Sequence, residues 1–413
     1  DSERLINTKA AEHFSFKKSL TSNQSYPSSV MGSMALVRQF YHDARWYKAG
    51  NASNKDLAIE AALGNLDLPK IFDANDKLNT LRAVKIGKEM GLDFAVVGSG
   101  QEYEYLSELK QNKAKLILPL NFPKAYDAAD PLLIKKINLA QLRYWNQAPM
   151  NPAAVAKEGI PFALSTSKLK AKADFFKHLK KAVSYGLSEQ TALAALTTIP
   201  AKMLNQETLL GNLNKGAMAN FIVTSGPLFD SSTELHENWV KGKPHVIKDH
   251  TITDIDGTYE IVTQEHTLEI EIKNSTSKVN VTAKKDSLKF ETKSSYKNQW
   301  LYLTLINKKG KTFAQFNAKI NKKGFTQGQG TDFNGDKITW NATLKKAAED
   351  KKKEKKEPNY YSPVPVTFPN KAYGFSELPK AENLLFKNAT VWTNEAEGIL
   401  SNADVLVVNG KIA

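Results

Sequence analysis

Gly186-Leu-Ser-Glu-Gln-Thr-Ala-Leu-Ala-Ala-Leu-Thr-Thr-Ile-Pro-Ala-Lys-Met-Leu204, running on to Leu210-Gly-Asn-Leu-Asn-Lys-Gly-Ala-Met-Ala-Asn-Phe-Ile-Val223, decides how this chain is read. A helix rich in Ala and Leu ends at the Pro200-Ala-Lys202 step, and a glycine-punctuated turn then feeds the strand Ala219-Asn-Phe-Ile-Val223. Upstream, from Leu66 to Ala201, short apolar strands alternate with amphipathic helices, which predicts a parallel sheet or barrel. Leu68–Phe72, Phe94–Val97, Lys115–Pro119 and Phe162–Ser165 read as the strands. The helices expected after them lie around Leu78–Met90, Tyr103–Gln111, Pro152–Glu158 and Ala173–Tyr185, giving four β/α units. A complete (β/α)8 barrel needs eight and typically about 250 residues. Residues 1–60 offer Ser-, Asn- and Lys-rich segments and a helical run from Ser29 through Trp46, too little for the missing strands. The chain is therefore expected to begin in mid-barrel.

Downstream the pattern changes. Asp256-Gly-Thr-Tyr259 to Leu344 alternates with period two, as in Thr267–Ile272 and Lys337–Thr343, with turns at Asn307–Gly310 and a type I′ hairpin at Asn334-Gly335. About seven short strands at this spacing argue for an antiparallel sandwich or small barrel. A Lys- and Pro-rich linker follows, held extended by Pro358, Pro363, Pro365 and Pro369. Its charge run, Lys345–Lys356, is interleaved with acidic residues and reads as a solvated helix or linker.

Composition excludes several classes. With 413 residues and 41% apolar content the chain can bury a sizeable core. The longest apolar runs fall far short of the roughly 20 residues that span a bilayer. Asp1-Ser-Glu-Arg4 does not open a signal peptide, so Asp1 is expected not to be the first codon. The net charge of +14 does not imply nucleic acid, because all but five of the basic residues are lysines, strongly hydrated point charges typical of solvated faces. The absence of cysteine removes disulfides, thiolate metal sites and thiol catalysis.

The motif Leu-Gly-x-Leu-x-x-Gly-x-x-Ala-Asn at 210–220, behind a helix closing on Pro-Ala-Lys, resembles the end of an amidohydrolase-superfamily barrel, in its imidazolonepropionase-like branch. The resemblance implies an α/β fold: the C-terminal half of a (β/α)8 TIM-like barrel with a small β-sandwich, followed by an all-β antiparallel module. The expected divisions are residues 1–202 for the barrel part, 203–250 for the sandwich strands, 251–344 for the all-β module and 345–382 for the linker. Residues 383–413, with Asn383–Thr393 and Ala403–Ala413, resemble the opening strands of a second amidohydrolase domain.

The family's chemistry uses imidazole and carboxylate ligands at the C-terminal ends of barrel strands, which hold divalent metal and acidify a bound water. By resemblance, the fifth-strand histidine falls at or beside Asp73, the sixth-strand histidine near Gly98-Ser99-Gly100, and the eighth-strand aspartate at Ser167 in Leu164-Ser165-Thr-Ser167. Gly98 has no side chain and Ser167 is a poor base without a partner. Asp73, Gly98, Ser99, Ser165 and Ser167 are thus expected to form a vestigial pocket with no catalytic or metal-ligating residue. The resemblance further implies no cofactor in this segment and a divalent, zinc-like metal in the second barrel. Its implied partners are an upstream barrel half and the downstream domain of the same protein, in a bacterial envelope setting, periplasmic or at the cell surface. No nucleic acid and no membrane span are expected, and a homo-oligomer or envelope complex stays open.

Two other readings stand beside the degenerate one. In the first, upstream ligands and Asp73 complete a mononuclear enzyme that hydrolyses a peptide, cyclic amide or N-acyl compound. In the second, the chain is a structural or interaction subunit, with its all-β module binding carbohydrate or protein. His245, Asp249 and His250 are the nearest approach to a metal cluster, and spacing in a loop reads as surface histidines. Asp332-Phe-Asn-Gly-Asp336 has its glycine too early for a calcium loop. Tyr144-Trp145 with Tyr41, Trp46 and Tyr47 reads as core or interface, with an aromatic ligand wall as the alternative.

Overall fold

The computed structural model describes residues 5–19, 21–230, 232–249, 252–276, 278–286, 288–307, 312–321, 324–347, 361–369, 373–377 and 380–413. The chain divides into two compact units, Asp1–Leu204 with Tyr360–Ala413, and Asn205–Asn359.

The first unit is built on five parallel strands in sequential order: β1 (Glu12–Ser15), β2 (Lys70–Asp73), β3 (Phe94–Val97), β4 (Lys115–Pro119) and β5 (Phe162–Ser165). Helices α1 (Val30–Lys48) and α2 (Leu57–Gly64) precede β2, α3 (Lys77–Met90) precedes β3, and α4 (Leu106–Gln111) precedes β4. Between β4 and β5 lie α5 (Pro131–Ile134), α6 (Leu139–Gln147) and α7 (Asn151–Lys157), and after β5 come α8 (Phe175–Ser184), α9 (Glu189–Leu196) and α10 (Thr198–Met203).

Register explains the core. Phe14, Phe72, Val96, Leu116 and Phe162 are direct partners across the sheet, so they share one face. Phe72, Val96 and Leu116 are fully buried there and Phe162 nearly so. Burying these four side chains is worth roughly 1.5–3 kcal/mol each. The next row, Ser15, Asp73, Val97, Ile117 and Ala163, lies on the opposite face near the strands' C-terminal ends. Helix boundaries follow local chemistry: Asp76 accepts from the Asn79 amide at 2.9 Å to start α3, and Gly91, at φ +67°, ends it.

Sequence reading gave four strands and no strand before residue 60. β1 is the addition. It carries one large apolar side chain, Phe14, whose ring lies 5.0 Å from that of Phe94, and an edge strand of four residues shows no periodicity to read. The sheet is open along β1 and β5, and no closure into a (β/α)8 barrel is present among the described residues.

The second unit opens with a single three-stranded antiparallel sheet, β6 (Phe221–Thr224), β7 (Leu235–Val240) and β8 (Lys243–Val246), with Phe221 stacked on Trp239 at 5.2 Å. The all-β module then forms a closed antiparallel barrel. Its strands are β9 (Gly257–Val262), β10 (Thr267–Lys273), β11 (Asn280–Lys285), β12 (Leu288–Lys297), β13 (Trp300–Asn307), β14 (Thr312–Lys319), β15 (Gln327–Thr331) and β16 (Lys337–Ala347). Eight strands replace the expected seven or so, because β9 pairs with both β10 and β16 and closes the sheet. Ile261, Ile270, Val281, Leu305, Phe316 and Trp340 are among the side chains that fill its interior. The Asn334-Gly335 turn is not type I′: only Gly335 has positive φ (+93°), while type I′ needs it at both central residues. Asp332 Oδ1 accepts from the amides of Asn334 and Asp336, each at 2.9 Å, and that carboxylate organises the turn.

Within the first unit, β17 (Leu384–Trp392), β18 (Ile399–Val408) and β19 (Lys411–Ile412) form a further antiparallel sheet. Of the expected linker, residues 345–347 belong to β16, and Pro358 with most of the charge run lies outside the described residues. Residues 361–369 run along α6 and α8. The Tyr361 amide donates to Ser184 O at 3.0 Å, the Val364 amide to Asn146 Oδ1 at 2.7 Å, and Gln147 Nε2 to the carbonyls of Val364 and Pro365. Tyr361 stacks on Tyr185 at 5.1 Å. The Asn307–Gly310 turn falls largely outside the described residues.

Candidate functional site at the strand C-termini

In parallel α/β sheets the loops leaving the strand C-termini carry the chemistry, because helix N-termini and strand ends converge there. The predicted pocket residues all lie on that rim. Asp73 ends β2 and is exposed, Gly98 and Ser99 follow β3, Ser165 ends β5, and Ser167 lies two residues on. The Ser167 amide donates to Ser165 Oγ at 3.0 Å, and Ser167 Oγ is buried with no partner. No hydrogen bond between Asp73 and Ser165 or Ser167 joins the two ends of the rim.

The centre of the rim is a residue that sequence reading passed over. Glu102 is fully buried. Its Oε1 accepts from the Ser99 amide at 2.5 Å, Ser99 Oγ at 3.0 Å, the Gly100 amide at 3.2 Å and the Tyr105 hydroxyl at 3.4 Å. Its Oε2 accepts from Asn151 Nδ2 at 2.7 Å and from the Gly100 amide at 3.1 Å. A carboxylate has about four lone-pair positions, and here they are taken. Successive backbone N–H groups of the Gly98-Ser-Gly100 loop form the kind of concavity that holds an anion, and this one holds the chain's own side chain. Asn151 closes the arrangement, since its Oδ1 accepts from the Tyr103 amide at 2.9 Å. Burial pushes the phenols of Tyr103 and Tyr105 far above their usual range, with nearby carboxylates adding to the effect.

Lys168 is the second omission. Its backbone lies in the left-handed region at φ +63°, and its Nζ donates to Gly98 O at 2.8 Å. Burial lowers its pKa below the ordinary lysine value, while Asp73, Glu102 and Asp76 act to raise it.

A divalent metal of the kind the resemblance implies for the second barrel would find no ligand set on this rim. A catalytic zinc needs about three protein ligands and an open position. Among the described residues no three His, Cys, Asp or Glu side chains are placed to hold a metal ion. Gly98 has no side chain to ligate with, and a Cβ there would lie 2.4 Å from Glu102 Oε1, so any larger residue would have to displace that carboxylate.

The other candidates stand apart from the rim's hydrogen-bonded centre: Tyr144 and Trp145 lie half-buried on α6, where Trp145 Nε1 is buried with no partner. Tyr41 is buried against Phe14 and Phe40, Tyr47 donates to Glu60 at 3.0 Å, and Trp46 is exposed. His178 Nδ1 contacts Leu120 O and its ring stacks on Phe122. His245 sits on β8, and His250 lies outside the described residues. No helix among the described residues is long and apolar enough to cross a membrane.

No family model matches the sequence, and no curated protein matches it. Among solved structures, the chain is similar to an amidohydrolase from Thermotoga maritima, at 20% identity and TM-score 0.46, over 59% of this chain and 64% of that one. A prolidase complexed with N-methylphosphonate-L-proline matches at 15% identity and TM-score 0.34, over 58% and 68%. A Xaa-Pro dipeptidase with bound methionine matches at 16% identity and TM-score 0.30, over 46% and 47%. The chain thus spans less than two thirds of the first of these structures and under half of the last.

Proposed function

We propose that this chain is a segment of an amidohydrolase-superfamily protein of the imidazolonepropionase-like branch, in which the rim of the parallel sheet has lost its hydrolytic site. The observation that carries the reading is Glu102: a buried carboxylate saturated by the loop after β3, standing in the space of any side chain at Gly98. Such a rim supports folding, and Glu102, its lone pairs taken, offers no open ligand position for hydrolysis. Further strands, supplied outside these residues, would complete the sheet along its open edges.

The work of the segment is then supportive. It packs against a metal-dependent hydrolase domain of the same protein that cleaves a C–N bond in a peptide or amide, in the periplasm or at the cell surface of a bacterium. The sheet of β17, β18 and β19 favours an apolar partner, for it exposes Leu385, Phe386, Trp392 and Ile399. The test has two arms. The purified chain is assayed with zinc and manganese against dipeptides, cyclic amides and N-acyl amino acids, and no turnover is expected. Co-expression with the hydrolase domain should give co-purification and a faster enzyme. Turnover by this chain alone that Asp73→Ala abolishes would establish the mononuclear enzyme instead.

A further inference from the structure

We propose that the outer face of the β barrel across β12, β13 and β14 binds an acidic polysaccharide, a chain of pyranose rings bearing carboxylates, through Trp300 and Tyr302. The site lies wholly within the barrel and stands whatever the rim of the parallel sheet does.

Strand alternation builds it. Leu301, Leu303 and Leu305 fill the barrel interior, so Trp300, Tyr302 and Thr304 stand on the outside. Trp300 stays 39% exposed and Tyr302 47%, with ring centroids 6.3 Å apart and planes within 25° of each other. Aromatics on a sheet surface normally gain from apolar or aromatic partners across the strands. These two have none in register: Trp300 stands between Lys297 on β12 and Lys319 on β14, and Tyr302 between Ser295 and Asn317. Among the described residues no ammonium sits over either ring. Packing accounts for little of the pair, which presents two amphipathic rings to the surroundings.

The charge around the pair selects the ligand. Thr304 stands between Lys293 and Gln315, so the three rows through Trp300, Tyr302 and Thr304 carry three lysines and no Asp or Glu on these strands. Glu291 comes only in the next row. Elsewhere on the barrel lysines are neutralised internally: Lys284 pairs with Glu269 at 2.8 Å and Lys345 with Glu260 at 2.9 Å. Lys293, Lys297 and Lys319 make no ion pair among the described residues. A face of this kind attracts an anion.

The polar side chains narrow the class. Ser295, Gln315, Asn317 and Gln329, the register partner of Asn317 on β15, can each both donate and accept, as ring hydroxyls do. A pyranose offers a C–H face to an aromatic ring and a rim of hydroxyls to such groups, and a uronate adds the carboxylate for lysine. A bilayer fits less well, because seating Tyr302 in hydrocarbon would bury the neighbouring amides unpaired. Single-stranded nucleic acid also uses aromatics and cations. The barrel, however, has no arginine, the side chain that stacks and grips phosphate bidentately, since Arg143 is the last in the chain.

The test titrates the full chain by calorimetry at low salt. The probes are alginate and polygalacturonate oligosaccharides, a cello-oligosaccharide as neutral counterpart, poly(U), and phosphatidylglycerol–phosphatidylcholine vesicles. At least one uronate is expected to bind, and the neutral oligosaccharide about tenfold more weakly. Trp300→Ala, with Tyr302→Ala as a second variant should the first not fold, should weaken binding about tenfold, as for an aromatic anchor. Lys297→Gln with Lys319→Gln should weaken it about fivefold and flatten its salt dependence. Lys284→Gln with Lys345→Gln, an equal loss of charge on the ion-paired part of the barrel, should leave it unchanged. Absence of binding by both uronates, equal binding of the neutral oligosaccharide, undiminished binding by the aromatic variants, or equal loss in the two lysine pairs would each overturn the proposal. Tighter binding of poly(U) or of the vesicles than of the uronates would do so too.

Discussion

A side chain at residue 98 and the carboxylate of Glu102 compete for one space on the rim: an ideal Cβ on Gly98 would lie 2.4 Å from Oε1 and 2.8 Å from the carboxyl carbon. Gly98→Ala should therefore destabilise the parallel unit by about 1–3 kcal/mol, the range for overpacking a closed site. In a Glu102→Ala background the same substitution should cost clearly less. A double-mutant cycle in urea measures the coupling, and additive costs would show that the two positions do not compete for space.

Asn151→Ala removes the donor at 2.7 Å from Glu102 Oε2 and the acceptor for the Tyr103 amide. The Tyr103 amide loses its partner and Glu102 Oε2 keeps only the Gly100 amide, so a loss of about 2–4 kcal/mol is expected, less than twice the roughly 1–3 kcal/mol of a wholly unsatisfied group. Asn151→Asp should be worse, because it sets a second carboxylate against the first. Equilibrium unfolding compares the two.

In the β barrel, Gly330 pairs with Phe316, and a Cβ there would lie 1.8 Å from Gln315 O, a backbone atom with no freedom to withdraw. Gly330→Ala should break the pairing of β14 with β15 and expose Trp340, whose Nε1 donates to Gln329 O at 3.1 Å. A red shift of tryptophan fluorescence and faster amide exchange in β15 report it. Gly335→Ala, in an open turn with nothing within 4 Å, should cost only about 1 kcal/mol from its positive φ.

Burial, helped by Asp254 and Asp256, pushes the phenol of Tyr259 up to about 12. The unfolded value is about 10, so the folded state favours the neutral phenol. That contribution is complete below about pH 10 and is lost as pH rises through the folded value. The barrel should weaken between about pH 10 and 12. Tyr259→Phe should lose about 1 kcal/mol at neutral pH with the bond to Ile255 O, yet decline less steeply in that alkaline window. A denaturant midpoint series against pH checks both.

Gln147 holds residues 361–369 through two carbonyls, and Asn146 holds the Val364 amide. Substituting both by Ala should release this segment from α6, raising amide exchange at Val364 and proteolytic cleavage between Tyr361 and Phe368. Far-UV circular dichroism should stay unchanged, since these bonds lie outside the helices and strands.

Much of the first unit was legible because its strands are short apolar runs bracketed by helices of clear period. Phe94–Val97, Lys115–Pro119 and Phe162–Ser165 stand where their sequence places them. β1 was not, because four residues with one aromatic carry no pattern. The period-two run announced an antiparallel module, but its closure depends on β9 meeting β16, a pairing about eighty residues apart that no local pattern encodes.

The rim divides the same way. The sequence by itself determined where the short apolar strands end, and the family resemblance singled out Asp73, Gly98, Ser99, Ser165 and Ser167 at those ends, where histidine is missing. Only the tertiary structure decided what the rim holds. The cradling of Glu102 by the glycine loop and by Asn151, forty-nine residues later, and the reach of Lys168 to Gly98 O, depend on side chains meeting across loops. Local sequence fixes where an element begins and which face is apolar, because those are short-range preferences. Which carboxylate fills a gap, and which amides answer it, is set by packing between distant segments, where burial makes every unpaired charge costly.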